Sequence, residues 1–172
     1  MYLSGVDFES MADGEGVRTV LFVSGCRHHC EGCHSPSTHD FNAGTKVTDE
    51  LIKYINSMTE ARPFLSGLTL SGGDPMYSAK EILEILPSLY IPNNNIWCFT
   101  GFVFEELLED GDRRSLLEHI DVLVDGEFEI DKRDVTLQFR GSRNQRIIDV
   151  QESLKIEKTI EWKGTNQYEY QN

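Results

Sequence analysis

The spacing of three cysteines constrains this chain more than any other feature. Cys26, Cys30 and Cys33 form a C-x₃-C-x₂-C pattern within the stretch Gly14–Pro36, directly after a run of apolar residues. Closed structural zinc sites and iron–sulfur sites usually take four protein ligands, and no fourth cysteine lies nearby. The pattern therefore predicts an iron–sulfur cluster held by three thiolates, with one metal position left open for a substrate.

Length and charge narrow the possibilities further. The 172 residues fit a single domain with a substantial core. Basic residues number 16 and acidic residues 29, and the resulting net charge of −13 argues against direct binding to nucleic acid or to an anionic membrane. No apolar run approaches the roughly 18 residues of a spanning helix, and no basic residue precedes Arg18, so no signal peptide is expected. We expect a cytoplasmic protein, in which clustered cysteines are metal ligands or redox groups rather than disulfides.

Hydrophobic patterns alternate between strand and helix periodicity. Residues 17–23 form a nearly continuous apolar run, typical of a strand buried on both faces. Residues 48–58 have an amphipathic helical pattern with Thr48 as the N-cap. Residues 2–8 are expected to form a short edge strand, and residues 139–150 to add one more element. Strand-like segments follow at 68–71, 95–100 and 120–124, and helix-like segments at 78–86, 104–108 and 113–119. This alternation predicts an α/β fold with right-handed βαβ units and a mostly parallel sheet, either open or an incomplete barrel.

Loops of turn-forming residues follow the predicted parallel strands. They are Gly25-Cys26, Gly72-Gly73-Asp74-Pro75, Thr100-Gly101 and Asp125-Gly126. Each one alone is typical of a simple turn. Because ligands bind at the carboxyl ends of parallel strands, their coincidence with the cysteines indicates one shared site.

The sequence around the cysteines resembles the signature of radical-activating enzymes, G-x-G-x-[KR]-x₃-F-x₂-G-C-x₃-C-x₂-C-x-[NL]-P. The match includes Gly14, Gly16, Arg18, Phe22, Gly25, the three cysteines and Pro36, and Ser35 is the one departure. Further family-like segments follow in the family's order: TLSGGDP (69–75), FTGF (99–102), DVLVDGEF (121–128) and RGSRNQR (140–146). The chain is therefore similar to radical S-adenosylmethionine (SAM) enzymes, specifically to the activating component of an anaerobic ribonucleoside-triphosphate reductase.

This resemblance implies a fold and two cofactors. Residues 1–155 would form a small radical SAM domain with an incomplete (β/α) barrel, followed by a tail or edge hairpin over 156–172. A [4Fe–4S] cluster would be held by the three cysteines, and SAM would chelate its fourth iron. One electron from the reduced cluster would break the C5′–S bond and release methionine and a 5′-deoxyadenosyl radical. No protein side chain is expected to be catalytic beyond the cluster and SAM.

The resemblance also implies partners. The radical would take a hydrogen atom from a glycine of the large catalytic subunit of an anaerobic ribonucleotide reductase, which would then carry the glycyl radical. An electron donor such as reduced flavodoxin would reduce the cluster. The small size of the chain agrees with a protein substrate, since little material is left to enclose a small one.

Several residues are expected to contact SAM. Gly72, Gly73 and Asp74 resemble the motif that receives the methionyl ammonium, with Asp74 ordering the loop rather than transferring a proton. Backbone groups at Gly32, Cys33 and His34 are expected to recognise the edge of the adenine ring. Because Gly32 replaces the aromatic residue of many relatives, ring stacking would come from elsewhere, for example from His34. The remaining expected SAM contacts are Ser71 and Thr100, at the ends of two predicted strands.

Three arginines are candidates for binding SAM or the partner. Arg18 lies in an otherwise apolar strand, so it should reach a carboxylate, a strand-end carbonyl or a substrate, unless it forms a surface ion pair. Arg140 and Arg146 could bind the SAM carboxylate or an acidic partner surface. Arg143 is interpreted as ordinary surface charge.

The same residues also fit other kinds of site and function. The cysteines could hold a structural zinc ion with His29, His34 or Cys98 as the fourth ligand, although Cys98 is expected to be a small buried hydrophobic residue. His28 and His29 could shield the cluster or contact the partner protein, but they are expected to be solvated loop residues. The protein could also activate another glycyl-radical enzyme, modify a small molecule, or be a zinc-stabilised interaction module.

Overall fold

The computed structural model describes residues 1–164 as a seven-stranded sheet with helices. The strands are β1 (Tyr2–Ser10), β2 (Arg18–Val23), β3 (Thr45–Lys46), β4 (Gly67–Gly72), β5 (Ile96–Phe99), β6 (Val122–Asp125) and β7 (Arg146–Asp149). The α-helices are α1 (Asp49–Glu60), α2 (Ala79–Ile85), α3 (Phe104–Leu107), α4 (Gly111–Leu117) and α5 (Val150–Ile156). The α/β class and the alternation of strands and helices are confirmed.

The sheet order is β3-β1-β2-β4-β5-β6-β7. The central strands β2, β4, β5 and β6 run parallel to one another. Strands β1, β3 and β7 are antiparallel to their neighbours. The carboxyl ends of the four parallel strands therefore meet at one edge, as the turn-rich loops predicted.

One strand prediction was wrong in its position. β1 is not the edge strand, because the two-residue strand β3 pairs with it on its outer side. A strand of two residues is too short to show a periodic pattern, so β3 could not be predicted.

The core lies mainly between the sheet and the helices. Alternate residues of the parallel strands, such as Leu21, Leu70 and Cys98, pack with buried residues of all five described helices, such as Ile52 and Ile82. Burying a side chain of the size of leucine or isoleucine contributes about 1.5–3 kcal/mol, so this layer is a main source of stability. The helices thus cover one face of the sheet.

The opposite face carries a smaller apolar cluster and leaves room beside it. Trp97, Val122 and Val124 are buried there, and the ring of Trp162 packs edge-on against Trp97 at 4.9 Å. Residues 160–162 reach this position by hydrogen bonding alongside β7. The first part of the predicted tail therefore packs on the sheet, and residues 165–172 lie outside the described residues.

Local signals explain where α1 and α4 begin. The Thr48 hydroxyl accepts a hydrogen bond from the backbone N–H of Leu51, which confirms the predicted N-cap of α1. The Asp110 carboxylate caps α4 in the same way. No helix in residues 1–164 combines the length and apolar character that crossing a membrane requires.

Candidate active site

The three cysteines lie in the loop that follows β2, here called the cysteine loop (residues 24–35). All three are half-buried and line one cavity of about 840 Å³ at the carboxyl edge of the parallel strands. Gly25 begins the loop with a φ of 105°, and a Cβ there would lie 2.2 Å from the Phe41 ring. Glycine is required at this turn because any side chain would meet that ring and strain the backbone.

The surroundings of the thiols differ. Burial raises the pKa of Cys26, and a hydrogen bond from the backbone N–H of His28 opposes that shift. Burial also raises the pKa of Cys30, and the backbone N–H of Phe128 opposes it. Backbone groups near two of the three sulfurs thus oppose the effect of burial on the thiol pKa, and hydrogen bonds to sulfur are one means by which proteins tune iron–sulfur clusters.

Two of the three residues suggested as a fourth zinc ligand do not line the cysteine cavity. Cys98 is fully buried in the core between the sheet and the helices, so it is not available as a fourth ligand. The ring of His29 packs against His39 with ring centres 5.0 Å apart. Of the three suggested fourth ligands, His34 alone lines the cavity. Among residues 1–164, no group of three or more His, Cys, Asp or Glu side chains is arranged so that it could hold a metal ion.

The residues expected to contact SAM collect around the same cavity. Its lining includes Gly32, Cys33, His34, Ser71, Gly72, Gly73 and Thr100. Asp74 instead lies just beneath the surface of the site and is 1% exposed. One site therefore gathers these residues from three separate loops of the sequence.

Asp74 holds the loops of this site together. Its Oδ1 accepts hydrogen bonds from the backbone N–H of Met76 and from the Thr100 hydroxyl, both at 2.9 Å. Its Oδ2 accepts from the backbone N–H of Gly101 at 2.9 Å. The ordering role predicted for Asp74 agrees with these contacts, because one carboxylate links the loops after β4 and β5.

Gly72 and Gly73 allow close contact within the protein. A Cβ on Gly72, whose φ is 104°, would lie 2.6 Å from the carbonyl oxygen of Val23. A Cβ on Gly73 would lie 2.6 Å from the carbonyl oxygen of Gly25. The two glycines are therefore needed for the loop after β4 to pack against the end of β2, whatever they also allow a ligand to approach.

His28 is not the solvated residue that the sequence suggested. Its side chain is 9% exposed and lies between two carboxylates, with Nε2 2.7 Å from Asp74 Oδ2 and Nδ1 3.0 Å from Glu127 Oε1. The hydrogen bond with Asp74 is the main cause that raises the pKa of His28. Both partners are distant in sequence, so no local pattern could reveal this burial.

The loop after β6, which Asp125-Gly126 had placed at the shared site, also contributes Glu127 and Phe128, which the sequence did not single out. The Cys30 thiol lies 3.8 Å from Glu127, and Phe128 lines the cavity. A Cβ on Gly32 would lie 3.0 Å from the Ile130 side chain and 3.5 Å from the Phe128 ring. Phe128 therefore places an aromatic ring close to position 32, where this chain has glycine in place of an aromatic residue. The family-like segment 121–128 was the signal that could have indicated it.

Arg18 does not lie at this site. A six-residue strand spans about 17 Å, and Arg18 begins β2 whereas the cysteines follow its other end. Its guanidinium donates to the Thr69 hydroxyl at 2.8 Å and to the carbonyl of Leu68 at 2.9 Å, so its partners lie on the neighbouring strand β4. Burial lowers the pKa of Arg18 to about 10, so it remains charged at neutral pH.

Arg140 lies in the cavity lining, as a ligand-binding role requires. Its Nη1 donates to the backbone carbonyl of Gln145 at 3.1 Å. Its buried Nε has no hydrogen-bond partner among residues 1–164. A buried cationic donor without a partner is costly, so this atom suits an anionic group brought by a ligand.

Arg146 is occupied by the protein itself. Its guanidinium binds the carboxylate of Asp125, which is 1% exposed, and pairs bidentately with Glu105 at 3.1 and 2.7 Å. Arg146 is not among the residues that line the cysteine cavity, and its guanidinium joins the end of β6 to α3.

This ion pair predicts a pH effect on stability. Arg146 lowers the pKa of Glu105 from 4.5 to about 2, so the pair stabilises the fold above pH 4.5 and this contribution is lost as the pH falls toward 2. Glu105 is 54% exposed, so solvent screening limits the contribution to less than about 1 kcal/mol. In urea unfolding of the metal-free chain, Glu105→Gln should lose less stability between pH 5 and pH 3 than the parent does. An equal loss in both chains would contradict this role.

Comparison with known proteins agrees with this site. A family model described as "4Fe-4S single cluster domain" matches residues 12–148. Fold, cysteine loop and match together define an α/β protein of the single-cluster iron–sulfur class. The chain is 41% identical over 142 residues to the anaerobic ribonucleoside-triphosphate reductase-activating protein of Vibrio cholerae, covering 80% of this chain and 90% of that protein.

Further relatives carry the same name. The Pasteurella multocida protein is 38% identical over 143 residues, covering 80% of this chain and 90% of its own. The Escherichia coli K12 protein is 38% identical over 142 residues, with 78% and 90% covered. The chain therefore belongs to the family of anaerobic ribonucleoside-triphosphate reductase-activating proteins.

Proposed function

We propose that this protein is a radical SAM activase that installs a glycyl radical on the large catalytic subunit of an anaerobic ribonucleoside-triphosphate reductase. The observation that carries the proposal is the single cavity lined by the three cysteines and by seven of the eight residues expected to contact SAM. Membership of the activating-protein family supports the choice of partner. The catalysed reaction would be an oxidoreduction.

The chemistry belongs to the bound groups. When bound, a reduced [4Fe–4S] cluster would supply the electron for cleavage of the C5′–S bond of SAM and so the radical that removes a glycine hydrogen atom, with methionine, 5′-deoxyadenosine and a glycyl radical as products. Cys26, Cys30 and Cys33 would hold the cluster as thiolates. The protein then supplies orientation, exclusion of water and the hydrogen bonds around the sulfurs.

Distinct residues would hold the two ends of SAM. The loop over residues 72–74 would receive the ammonium group, and Asp74 would keep that loop in place through its contacts with Thr100 and Gly101. The free Nε of Arg140 would pair with the SAM carboxylate. Gly32, Cys33 and His34 would face the adenine, with the ring of Phe128 beside them.

The sheet is proposed to be an incomplete (β/α) barrel over residues 1–155. All described helices that share the main core pack on one face of the sheet. Ser71, Phe99 and Val124, which point to the other face, line the cavity. Helices outside and a ligand cavity inside are the arrangement of a barrel rather than of a doubly wound sheet.

A protein substrate suits the mouth of the cavity. Val135 is 81% exposed and Ile130 is 40% exposed, and both line the same cavity as the cysteines. Exposed apolar side chains beside a binding site are typical of surfaces that another protein covers. The glycine-bearing segment of the partner would reach the cysteines from this side, and reduced flavodoxin would supply the electron.

The test is an anaerobic activation assay. The reconstituted protein mixed with the large reductase subunit, SAM and a reductant should give the electron paramagnetic resonance (EPR) doublet of a glycyl radical. Absence of the doublet would contradict the proposal. Release of 5′-deoxyadenosine stimulated by a metabolite instead would indicate a small-molecule enzyme. A colourless preparation with stoichiometric zinc and no iron would indicate a zinc-stabilised interaction module.

A further inference from the structure

His28 makes contacts with two loops other than its own. It lies between the ligands Cys26 and Cys30, yet its ring reaches Asp74 after β4 and Glu127 after β6. These contacts are here called the His28 bridge. Each ring nitrogen lies within hydrogen-bond distance of one carboxylate oxygen, so the imidazole is held at both ends.

The position of the ring is fixed from its sides as well. The Phe102 ring packs edge-on at 4.7 Å and the Tyr77 ring lies at 5.4 Å. A Cβ on Gly101 would lie 2.6 Å from the His28 ring, so the backbone of the loop after β5 approaches it directly. The imidazole therefore has little freedom to choose another rotamer.

Asp74 links the His28 ring to the loop after β5. Its Oδ2 receives both the His28 ring nitrogen and the Gly101 N–H, and Thr100 also donates to it. Backbone hydrogen bonds join the cysteine loop to the loop after β4 near the ends of strands β2 and β4. There the Asp74 N–H donates to the Gly25 carbonyl and the Gly73 N–H to the Val23 carbonyl. The His28 bridge adds hydrogen-bonded side-chain links from the middle of the cysteine loop, where the Arg27 guanidinium also lies 5.9 Å from the centre of the Tyr77 ring.

Glu127 extends the link toward a cluster ligand. It contacts His28 at 3.0 Å, and the Cys30 thiol lies 3.8 Å from its other oxygen. The next residue, Phe128, lines the same cavity as the three cysteines. The loop after β6 is thus held against the ligands by the same imidazole.

We propose that His28 is a positioning residue that fixes the cluster ligands relative to the loop over residues 72–74, so that the cluster and the amino-acid end of SAM are held at one distance and orientation. This inference rests on the proposed function. His28 touches neither reacting atoms nor, as a ligand, the metal. It acts through Asp74 and Glu127.

Three variants separate positioning from packing. His28→Phe keeps a ring against Phe102 and Tyr77 but removes both hydrogen bonds. His28→Gln places an amide donor near the position of Nε2 and so restores the contact with Asp74. His29→Asn is the matched control, because the neighbouring His29 is exposed and its φ of 53° is one that asparagine tolerates.

The measurements are iron and sulfide content, SAM affinity by equilibrium dialysis, and the EPR spectrum of the reduced cluster with and without SAM. His28→Phe should keep its iron and sulfide but bind SAM about 10-fold or more weakly, lose the parent's spectral response to SAM, and form glycyl radical about 10- to 100-fold more slowly. His28→Gln should recover much of the affinity and response, and His29→Asn should match the parent.

The outcomes distinguish this inference from the function on which it rests. A His28→Phe variant equal to the parent in affinity and spectral response would overturn it. Loss of iron in both His28→Phe and His28→Gln would also overturn it, because His28 would then hold the cluster rather than orient it. If the parent itself shows no response to SAM, the proposed function fails instead.

Discussion

Replacement of any one of Cys26, Cys30 and Cys33 by alanine is expected to abolish cluster binding and, with it, all glycyl-radical formation. The three thiols line one cavity, and the remaining cysteine is sealed in the core, so no spare thiolate can take the place of a lost one. A cluster held by only two cysteine ligands would be lost on purification. Iron and sulfide analysis of anaerobically reconstituted protein measures the effect directly.

Cys98→Ala is the matched control for this experiment. Cys98 is fully buried among residues such as Leu70 and Leu123, so removing its sulfur should cost on the order of 1 kcal/mol of unfolding free energy. Iron, sulfide and radical formation should stay at the parent level. A Cys98→Ala protein without a cluster, or a Cys26→Ala protein with a full one, would refute the ligand assignment.

Asp74→Asn should be the most damaging change outside the cysteines. Asn can keep one carbonyl oxygen toward Met76 and Thr100, but its NH₂ group would then face the Gly101 N–H, which is also a donor. In the flipped orientation the NH₂ group would instead face the Met76 N–H, which is also a donor. A buried donor left without an acceptor costs about 1–3 kcal/mol, so we expect a loss of unfolding free energy of that size.

The same substitution should remove SAM cleavage. The loops after β4 and β5 lose their shared acceptor, and His28 loses its Asp74 carboxylate. Anaerobic assays of 5′-deoxyadenosine release and urea unfolding would measure the two effects. Asp112→Asn is the control, since Asp112 is exposed in the first turn of α4 and its loss should cost less than about 1 kcal/mol. Full activity in Asp74→Asn would contradict the role assigned to Asp74.

Several features could be predicted because their signals are local. The apolar run of β2 and the capping of α1 depend on residues within one element, and both are confirmed. The meeting of the turn-rich loops at one edge followed from parallel topology, since every parallel strand presents its carboxyl end to the same side. The short strand β3 has no comparable signal and was missed.

The arginines illustrate what sequence reasoning could not decide. A charged residue in an apolar strand must find partners, and that much was expected of Arg18. Which partners it finds depends on the strand beside it, and here these are Leu68 and Thr69 of β4. Arg146 likewise meets Asp125 because β7 pairs antiparallel to β6 in that register. Of the three candidate arginines, Arg140 alone lines the cysteine cavity.

The sequence by itself determined the α/β class and the loops that meet at one edge of the sheet, and it predicted the three cysteine ligands, because residue type, spacing and periodicity act over short distances. Only the tertiary structure decided how those loops are fastened together. His28 looked like a solvated residue of the cysteine loop, and it is buried because Asp74, 46 residues further along, and Glu127, 99 residues further along, converge on its ring. A hydrogen bond depends on distance in space, and for residues so far apart in sequence that distance is set by strand order and register.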